Sequence, residues 1–326
     1  MKILFNRNNS IGIFCLLLLL AVGAVSCIKD EYAENKEKAT VQVTFTTRAV
    51  SDETVAGSDL ADNERMKTLR VIVAKDGKIL YNEYYEEKDF AQYENGQRYK
   101  TVTFSELVTE DEADRTFVFY AIANEEGIAD WPTQITSLKQ LPEDITLSTT
   151  SDLIPQTAKQ SFTVDIPQEG NGIQKGTMQL EFVVAKVQLI VVNETEAEQT
   201  LRGISISKAD IEAQETGLFP PSENTTLPEG VKDVVMNDMT LNGDESSAMF
   251  SQIAYVYENS APTVGYIFNA TWNGNNQPPV DLSAVEALPR GKELRITIHL
   301  KQNATAQFDY EVLDWTNVRV DIPDFE

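Results

Sequence analysis

The chain has 326 residues, of which 42% are hydrophobic, and its formal net charge is −24. This hydrophobic fraction is enough to fill the core of one large or two medium domains. The negative charge argues against nucleic acid and anionic lipid headgroups as partners, because their phosphates would be repelled.

Residues 1–26 have the pattern of an export signal. Lys2 and Arg7 precede an uncharged apolar run over residues 11–25, which is shorter than the ~20 residues that a membrane-spanning helix needs. Small residues then lead to Cys27, an order that resembles the bacterial lipobox, although an ordinary signal peptide with an incidental cysteine has the same features. The resemblance implies cleavage before Cys27 and attachment of diacylglycerol and palmitate at this residue.

The residues around Cys27 extend this interpretation. The only other cysteine, Cys15, lies within the signal, so the exported chain can form no internal disulfide and depends on its core for stability. Asp30 and Glu31 follow the lipidated position closely and resemble the surface-export signal of Bacteroidetes lipoproteins. The alternative is that this acidic stretch is a solvated tether.

After the signal, short segments with alternating or β-branched residues recur between turn formers, and long helical periodicity is hard to find. The Asp76-Gly77 pair between two such segments predicts a hairpin. The clearest predicted strands are residues 41–45, 69–74, 79–81, 99–104, 116–123, 162–166, 178–192, 201–207, 252–257, 265–272, 294–300 and 306–313. The pattern predicts an all-β protein built from antiparallel sandwiches. Turn formers at residues 168–176 place a domain boundary after residue 175.

The two ends of the exported chain carry similar strand patterns. Both have three apolar residues at every second position: Val41, Val43 and Phe45 at one end, and Val318, Val320 and Ile322 at the other. Arg48 and Ala49 follow the first pattern, within small and polar residues that favour an accessible protease site.

This pairing suggests a mechanism of assembly. If the first strand fills a groove and a protease cuts at Arg48, the strand can leave, and the C-terminal strand of another copy can take its place by β-augmentation. Such a head-to-tail contact does not close on itself and builds a filament. The alternative is that both segments are ordinary strands of a monomeric sandwich.

Several segments, in their order along the chain, resemble the fimbrillin family of Bacteroidales, the type V pilins. They are Thr47-Arg48-Ala49, residues 67–73 leading into Asp76-Gly77, residues 114–124 ending in Ala-Asn, residues 183–187, residues 255–259 and Trp315 with the alternating valines after it. The resemblance implies two tandem transthyretin-like sandwich domains, with residues 27–48 as lipidated propeptide and first strand, and domains at residues 49–175 and 176–326.

The resemblance also implies a function. A precursor anchored in the outer membrane of a Gram-negative bacterium through the lipid on Cys27 is cut between Arg48 and Ala49 by an arginine-specific protease. A donor strand, roughly residues 312–325, then enters the neighbouring pilin subunit. The product is a surface fimbria that serves adhesion and biofilm formation, with host or bacterial surface molecules as ligands. Without the cut, the chain is an anchor subunit or a separate surface lipoprotein.

Two other classes of function are weighed against this one. A lipid-anchored protein that binds glycans or host molecules would use Trp131 or Trp272, although both fit core or turn packing. A hydrolase would use paired carboxylates, which an acidic surface explains equally well. With one histidine, His299, expected to face solvent, and no nucleotide-binding motif, the sequence predicts no enzyme, no cofactor and no metal.

Overall fold

The computed structural model describes residues 39–47, 60–92, 98–108, 114–165, 173–211, 216–220, 226–243, 249–301 and 306–314. Within these ranges the secondary structure consists of 21 strands and four short 3-10 helices, without an α-helix. None of the helices in the same ranges has the length and apolar character needed to cross a membrane. The prediction of an all-β protein is confirmed.

The first half of the chain, up to Phe182, begins with the predicted alternating segment at residues 41–45, which lies in the first strand. Its strands are β1 (Ala39–Thr46), β2 (Thr68–Lys75), β3 (Lys78–Glu86), β4 (Ala91–Gln92), β5 (Arg98–Val108), β6 (Thr116–Ala123), β7 (Gln156–Thr163), β8 (Ile173–Gln179) and β9 (Glu181–Phe182). They form two sheets, with the strand orders β4-β5-β1-β8 and β3-β2-β6-β7-β9. The 3-10 helices are Asp62–Glu64, Glu87–Asp89, Glu125–Gly127 and Leu138–Gln140.

The second half begins at Ala185. Its strands are β10 (Ala185–Asn193), β11 (Gln199–Asp210), β12 (Lys232–Val235), β13 (Met239–Leu241), β14 (Met249–Val256), β15 (Asn259–Ser260), β16 (Ile267–Trp272), β17 (Asn275–Asn276), β18 (Val280–Asp281), β19 (Ala287–Leu288), β20 (Lys292–Leu300) and β21 (Ala306–Asp314). One sheet has the order β14-β10-β20-β21 and another β12-β11-β16-β17, to which β13 and β18 are added; β15 pairs with β19.

One pairing departs from the predicted antiparallel arrangement. β10 is antiparallel to β14 but parallel to β20. Parallel neighbours need a long crossover connection, and here nine strands separate β10 from β20 along the chain. The predicted hairpin is confirmed: β2 and β3 are joined at Asp76 and Gly77, both with positive φ (50° and 74°), as the favoured two-residue turn requires.

By internal contacts the chain divides into two compact units. The smaller comprises Met1–Gln42, Thr103–Arg115 and Val164–Gln174, and within it the side-chain amide of Gln42 donates to Thr103 Oγ1 at 3.5 Å. The larger unit comprises Val43–Val102, Thr116–Thr163 and Lys175–Glu326. The predicted division into residues 49–175 and 176–326 differs from these units, each of which consists of three separate segments. It stays a prediction.

The larger unit contains a core shared by two sheets. Alternate residues of β10 and β20 from one sheet, and of β11 and β16 from the other, belong to one buried cluster; among them are Val187, Leu189, Ile206, Phe268, Ile296 and Ile298. Two sheets that bury their inner faces in one cluster form a sandwich. We call it the β10–β21 sandwich.

A second buried cluster in the larger unit lies on one face of the sheet that contains β2 and β6. Ile72, Tyr120 and Ile122 contribute to it from these strands, together with Val183 and Val184 from the connection between β9 and β10. The predicted continuous strand over residues 178–192 is instead divided among β8, β9 and β10, with Val183 and Val184 in the connection between the last two.

Candidate functional site

The predicted functional residues fall into two groups. Those that the structure describes are Val41, Val43 and Phe45 in β1. Those outside the described residues are the lipidation site Cys27, the protease site Arg48 and Ala49, and the donor-strand residues Val318, Val320 and Ile322. The site is therefore built from β1 and its surroundings.

β1 is an interior strand, because it lies between β5 and β8 in its sheet. Val41, Val43 and Phe45 are 2%, 0% and 0% exposed, whereas Gln42 and Thr44 are half-buried. This alternation follows from the two-residue period of a strand. All three residues of the predicted apolar row are therefore buried.

Polar contacts fix the register of β1 toward its C-terminal end. Thr44 Oγ1 lies 3.0 Å from Thr101 Oγ1, and the backbone carbonyl of Thr46 accepts a hydrogen bond from the amide of Leu180 at 2.8 Å. Thr46 and Thr47 are themselves buried, at 1% and 9% exposure. Because β1 has a neighbour on each side, its removal would leave unpaired donors and acceptors on both β5 and β8.

A second feature is the segment of residues 61–67, which we call the strap. At its centre lies Glu64, whose side chain is fully buried. One carboxylate oxygen accepts from the Ala61 amide at 3.1 Å, and the other accepts from the Tyr255 hydroxyl at 2.9 Å and contacts Lys186 Nζ at 3.1 Å. The Glu64 backbone carbonyl accepts from Gln156 Nε2 at 2.8 Å.

The charge of Glu64 belongs to a buried network. Lys186 Nζ also lies 3.6 Å from Glu293, whose carboxylate contacts the Arg295 guanidinium at 2.7 Å. Two anions and two cations therefore compensate each other where water is excluded, which is the condition for burying charge at moderate cost. Burial, together with the neighbouring Glu64 carboxylate, raises the pKa of the Tyr255 phenol, so this phenol stays protonated as a donor.

Asn124 holds the other end of the strap. It is fully buried and has a left-handed backbone (φ 55°) directly after β6. Its Nδ2 donates to the carbonyls of Arg65 and Ile154, each at 3.0 Å, and its Oδ1 accepts from the Lys67 amide at 2.9 Å. A short amide side chain suits this position because asparagine tolerates the left-handed region better than most residues do.

The strap was missed by reasoning from the sequence. Nothing in the local pattern distinguishes Glu64 from the many exposed acidic residues of this chain. Asn124 gave a usable signal, since an asparagine directly after a buried strand often takes a left-handed conformation, but its partners are remote in sequence. The strap shows that the chain is firmly bound again shortly after the predicted cut at Arg48.

The last described strand, β21, forms an edge of its sheet. It pairs with β20 from Leu300 opposite Ala306 to Lys292 opposite Asp314. Val312, at the start of the expected donor range, lies opposite Leu294 in this pairing. The part of the predicted donor that does not belong to β21 therefore begins after Asp314.

The residues considered for other functions, His299, Trp131 and Trp272, are at least partly buried in the fold. His299 is partly buried, with a side-chain exposure of 20%, and its Nδ1 lies 2.7 Å from Glu194 Oε1. Trp272 is 5% exposed, and Trp131 is half-buried against the second cluster. Among the residues that the structure describes, no three histidine, cysteine or acidic side chains are grouped to hold a metal.

The fold of the chain is shared with a bacterial fimbrial protein. The tip fimbrial protein Mfa3 from Porphyromonas gingivalis is similar with a TM-score of 0.52 and 13% identity, covering 85% of this chain and 100% of that one. The chain has the fold of a fimbrial protein. No protein-family model and no curated protein sequence matches it.

Two further solved structures are similar at lower scores. A fimbrilin from Porphyromonas gingivalis has a TM-score of 0.48 and 14% identity, covering 86% of this chain and 98% of that one. A fimbrial assembly protein from Parabacteroides distasonis has a TM-score of 0.46 and 14% identity, covering 85% and 98%.

Proposed function

We propose that this protein is a structural subunit of a cell-surface fimbria that polymerises by strand exchange. The observation that carries the proposal is the position of β1. It is an interior strand with a buried apolar row, and it ends at Thr46, two residues before Arg48. A strand at this position leaves a groove with two open edges when it is removed. The fold shared with the Mfa3 tip protein supports the same assignment.

The proposed route begins with export. The signal over residues 1–26 is removed, and Cys27 receives its lipid and anchors the precursor in the outer membrane. An arginine-specific protease then cuts between Arg48 and Ala49. The cut separates residues 27–48, which include β1, from the rest of the subunit.

Assembly follows from the groove that β1 vacates. Val318, Val320 and Ile322 of a neighbouring subunit repeat the spacing of Val41, Val43 and Phe45, so they can fill the same pockets while their backbone pairs with β5 and β8. Residues 49–175 and 176–326 are proposed as the two sandwich domains of the subunit, and the second carries the donor segment. The strap stays bound during this exchange, because its partners lie on strands that the cut does not touch.

Cleavage is tested on protein recovered from the cell surface. The N-terminal residue and intact mass are determined for the natural chain and for Arg48→Ala. We expect the natural chain to begin at Ala49 and to form a detergent-resistant ladder, while Arg48→Ala begins at acylated Cys27 and stays monomeric. Ladders formed by Arg48→Ala would refute the role of the cut.

The donor is tested by removing it. A chain lacking residues 318–326 should fold, be cut and accept a donor, yet donate none, so it should cap growing ladders when mixed with the natural subunit. Continued growth from the truncated subunit alone would contradict the donor assignment. If the natural chain itself keeps acylated Cys27, the protein is instead an uncut anchor or a lipid-anchored binding protein.

A further inference from the structure

A pocket of about 690 Å³ opens at one end of the β10–β21 sandwich. Loop residues after β10, the turn after β16 and the end of β20 line it; among them are Glu196, Gln199, Trp272, Asn275, Gln277 and Lys301. Its volume lies within the range of about 300–1,000 Å³ typical of ligand sites. Loops at the end of a rigid sandwich are a common place for binding residues.

The chemistry of this pocket is polar without a net charge. Asn275 and Gln277 offer amide groups that both donate and accept, while Glu196 and Lys301 supply one charge of each sign. A single lysine beside a glutamate, in a chain of net charge −24, does not favour an anionic ligand. The indole of Trp272 also lines the pocket and is largely buried.

Hydrogen bonds fix the positions of several residues that line the pocket. Gln199 Oε1 accepts from Trp272 Nε1 at 2.6 Å and from Asn273 Nδ2 at 2.7 Å. Asn273 has a left-handed backbone conformation (φ 47°), and its Oδ1 accepts a hydrogen bond from the backbone amide of Thr200 at 2.8 Å. Gln199, Trp272 and Asn273 are therefore preorganised, which lowers the entropy cost of binding.

Acceptors remain on the rim of the pocket. Among the described residues, no donor is hydrogen-bonded to the side-chain oxygens of Asn275 and Gln277, whose NH₂ groups contact only backbone carbonyls, at 3.4 and 3.2 Å. Adjacent sugar hydroxyls present one donor beside one acceptor, and amide side chains match this pattern. We propose that the pocket binds a neutral oligosaccharide.

The pocket lies away from the end of the sandwich where the predicted donor emerges. β20 begins at Lys292, opposite Asp314 of β21, and runs to Leu300, next to the pocket residue Lys301. Lys301 follows Lys292 by nine positions along the chain, a distance of roughly 30 Å at about 3.3 Å per residue. Binding at the pocket and donation of residues after Asp314 therefore use opposite ends.

The proposal is tested by isothermal titration of the full-length protein with maltotriose, mannotriose, chitotriose and, as an anionic probe, trigalacturonate. The test variant is Asn275→Ala/Gln277→Ala. Asn276→Ala is the matched control, because Asn276 lies in the same hairpin but bonds to Thr271 at 2.9 Å and does not line the pocket.

We expect at least one neutral trisaccharide to bind, at least tenfold more weakly to the double variant, and unchanged to Asn276→Ala. Three results would overturn the proposal: no binding of any neutral trisaccharide, equal binding by the double variant, or binding of trigalacturonate alone. Thermal unfolding of each variant shows whether a loss of binding reflects a loss of fold. In that case Asn275→Ala and Gln277→Ala are titrated singly under the same criteria.

Discussion

We expect the retention of β1 after the predicted cut at Arg48 to depend on Phe45, and Phe45→Ala tests this expectation. Phe45 is fully buried, as is Val43, while Val41 is 2% exposed. Burial of the three side chains stabilises the precursor by about 5–9 kcal/mol at ~1.5–3 kcal/mol each. A cut at Arg48 would remove the covalent link between β1 and the rest of the subunit, so that only these contacts and the strand pairing would hold it.

Replacing Phe45 by alanine removes the largest of the three side chains. Truncation of a buried phenylalanine costs about 3–5 kcal/mol, and every ~1.4 kcal/mol is a factor of ten in an equilibrium constant. We therefore expect the cut precursor to retain residues 27–48 roughly a hundred- to several-thousand-fold more weakly. Acceptance of a donor strand should be faster in the same proportion if departure of β1 limits the exchange.

The measurement uses purified precursor treated with an arginine-specific protease. Size-exclusion chromatography with mass spectrometry follows how fast residues 27–48 leave the cut protein, and denaturant unfolding of the Arg48→Ala form gives the stability loss. Thr44→Ala is the matched control, since Thr44 lies in the same strand but is half-buried and directed to the other face. Its loss should stay near 1 kcal/mol, that of one hydrogen bond.

The reasoning would be refuted if Phe45→Ala and Thr44→Ala released residues 27–48 at equal rates. It would also be refuted if the natural precursor lost them at once on cutting, because the buried row would then contribute nothing to retention.

Three other predictions concern stability, each measured by denaturant unfolding. Glu64→Gln leaves Lys186 under-compensated in a buried site and should cost about 3–5 kcal/mol, whereas the exposed control Glu86→Gln should cost at most ~1 kcal/mol. Burial raises the pKa of Asp210, so the folded state favours the protonated carboxyl. The contribution of this carboxyl to the free energy of unfolding is therefore fully present below the unfolded pKa and is lost as pH rises through the folded pKa. Asp210→Asn should therefore be more stable than the natural chain at pH 7, with no gain below pH ~4; a loss at pH 7 would contradict this. Asn124→Ala should cost about 3 kcal/mol through unpaired buried groups, and Asn124→Gly about 1 kcal/mol less because glycine tolerates the left-handed backbone; equal losses would show that backbone strain plays no part.

The all-β class was accessible from the sequence because strand signals are local. The alternation of Val41, Val43 and Phe45 required one buried face, whatever the strand paired with. Asp76-Gly77 specified its turn through backbone preferences of two residues. The predictions for Cys27 and Arg48 likewise rest on short motifs, and they stay predictions.

The structure was needed for every feature that joins residues remote in sequence. The parallel pairing of β10 with β20, the burial of Glu64 beside Lys186 and the pocket around Trp272 each depend on which strands become neighbours. Local periodicity determines which face of a strand is buried, but not its partner, because many pairings bury the same face. The sequence alone therefore determined the strands and their apolar faces, whereas only the tertiary structure decided that β1 is an interior strand, whose removal opens a groove.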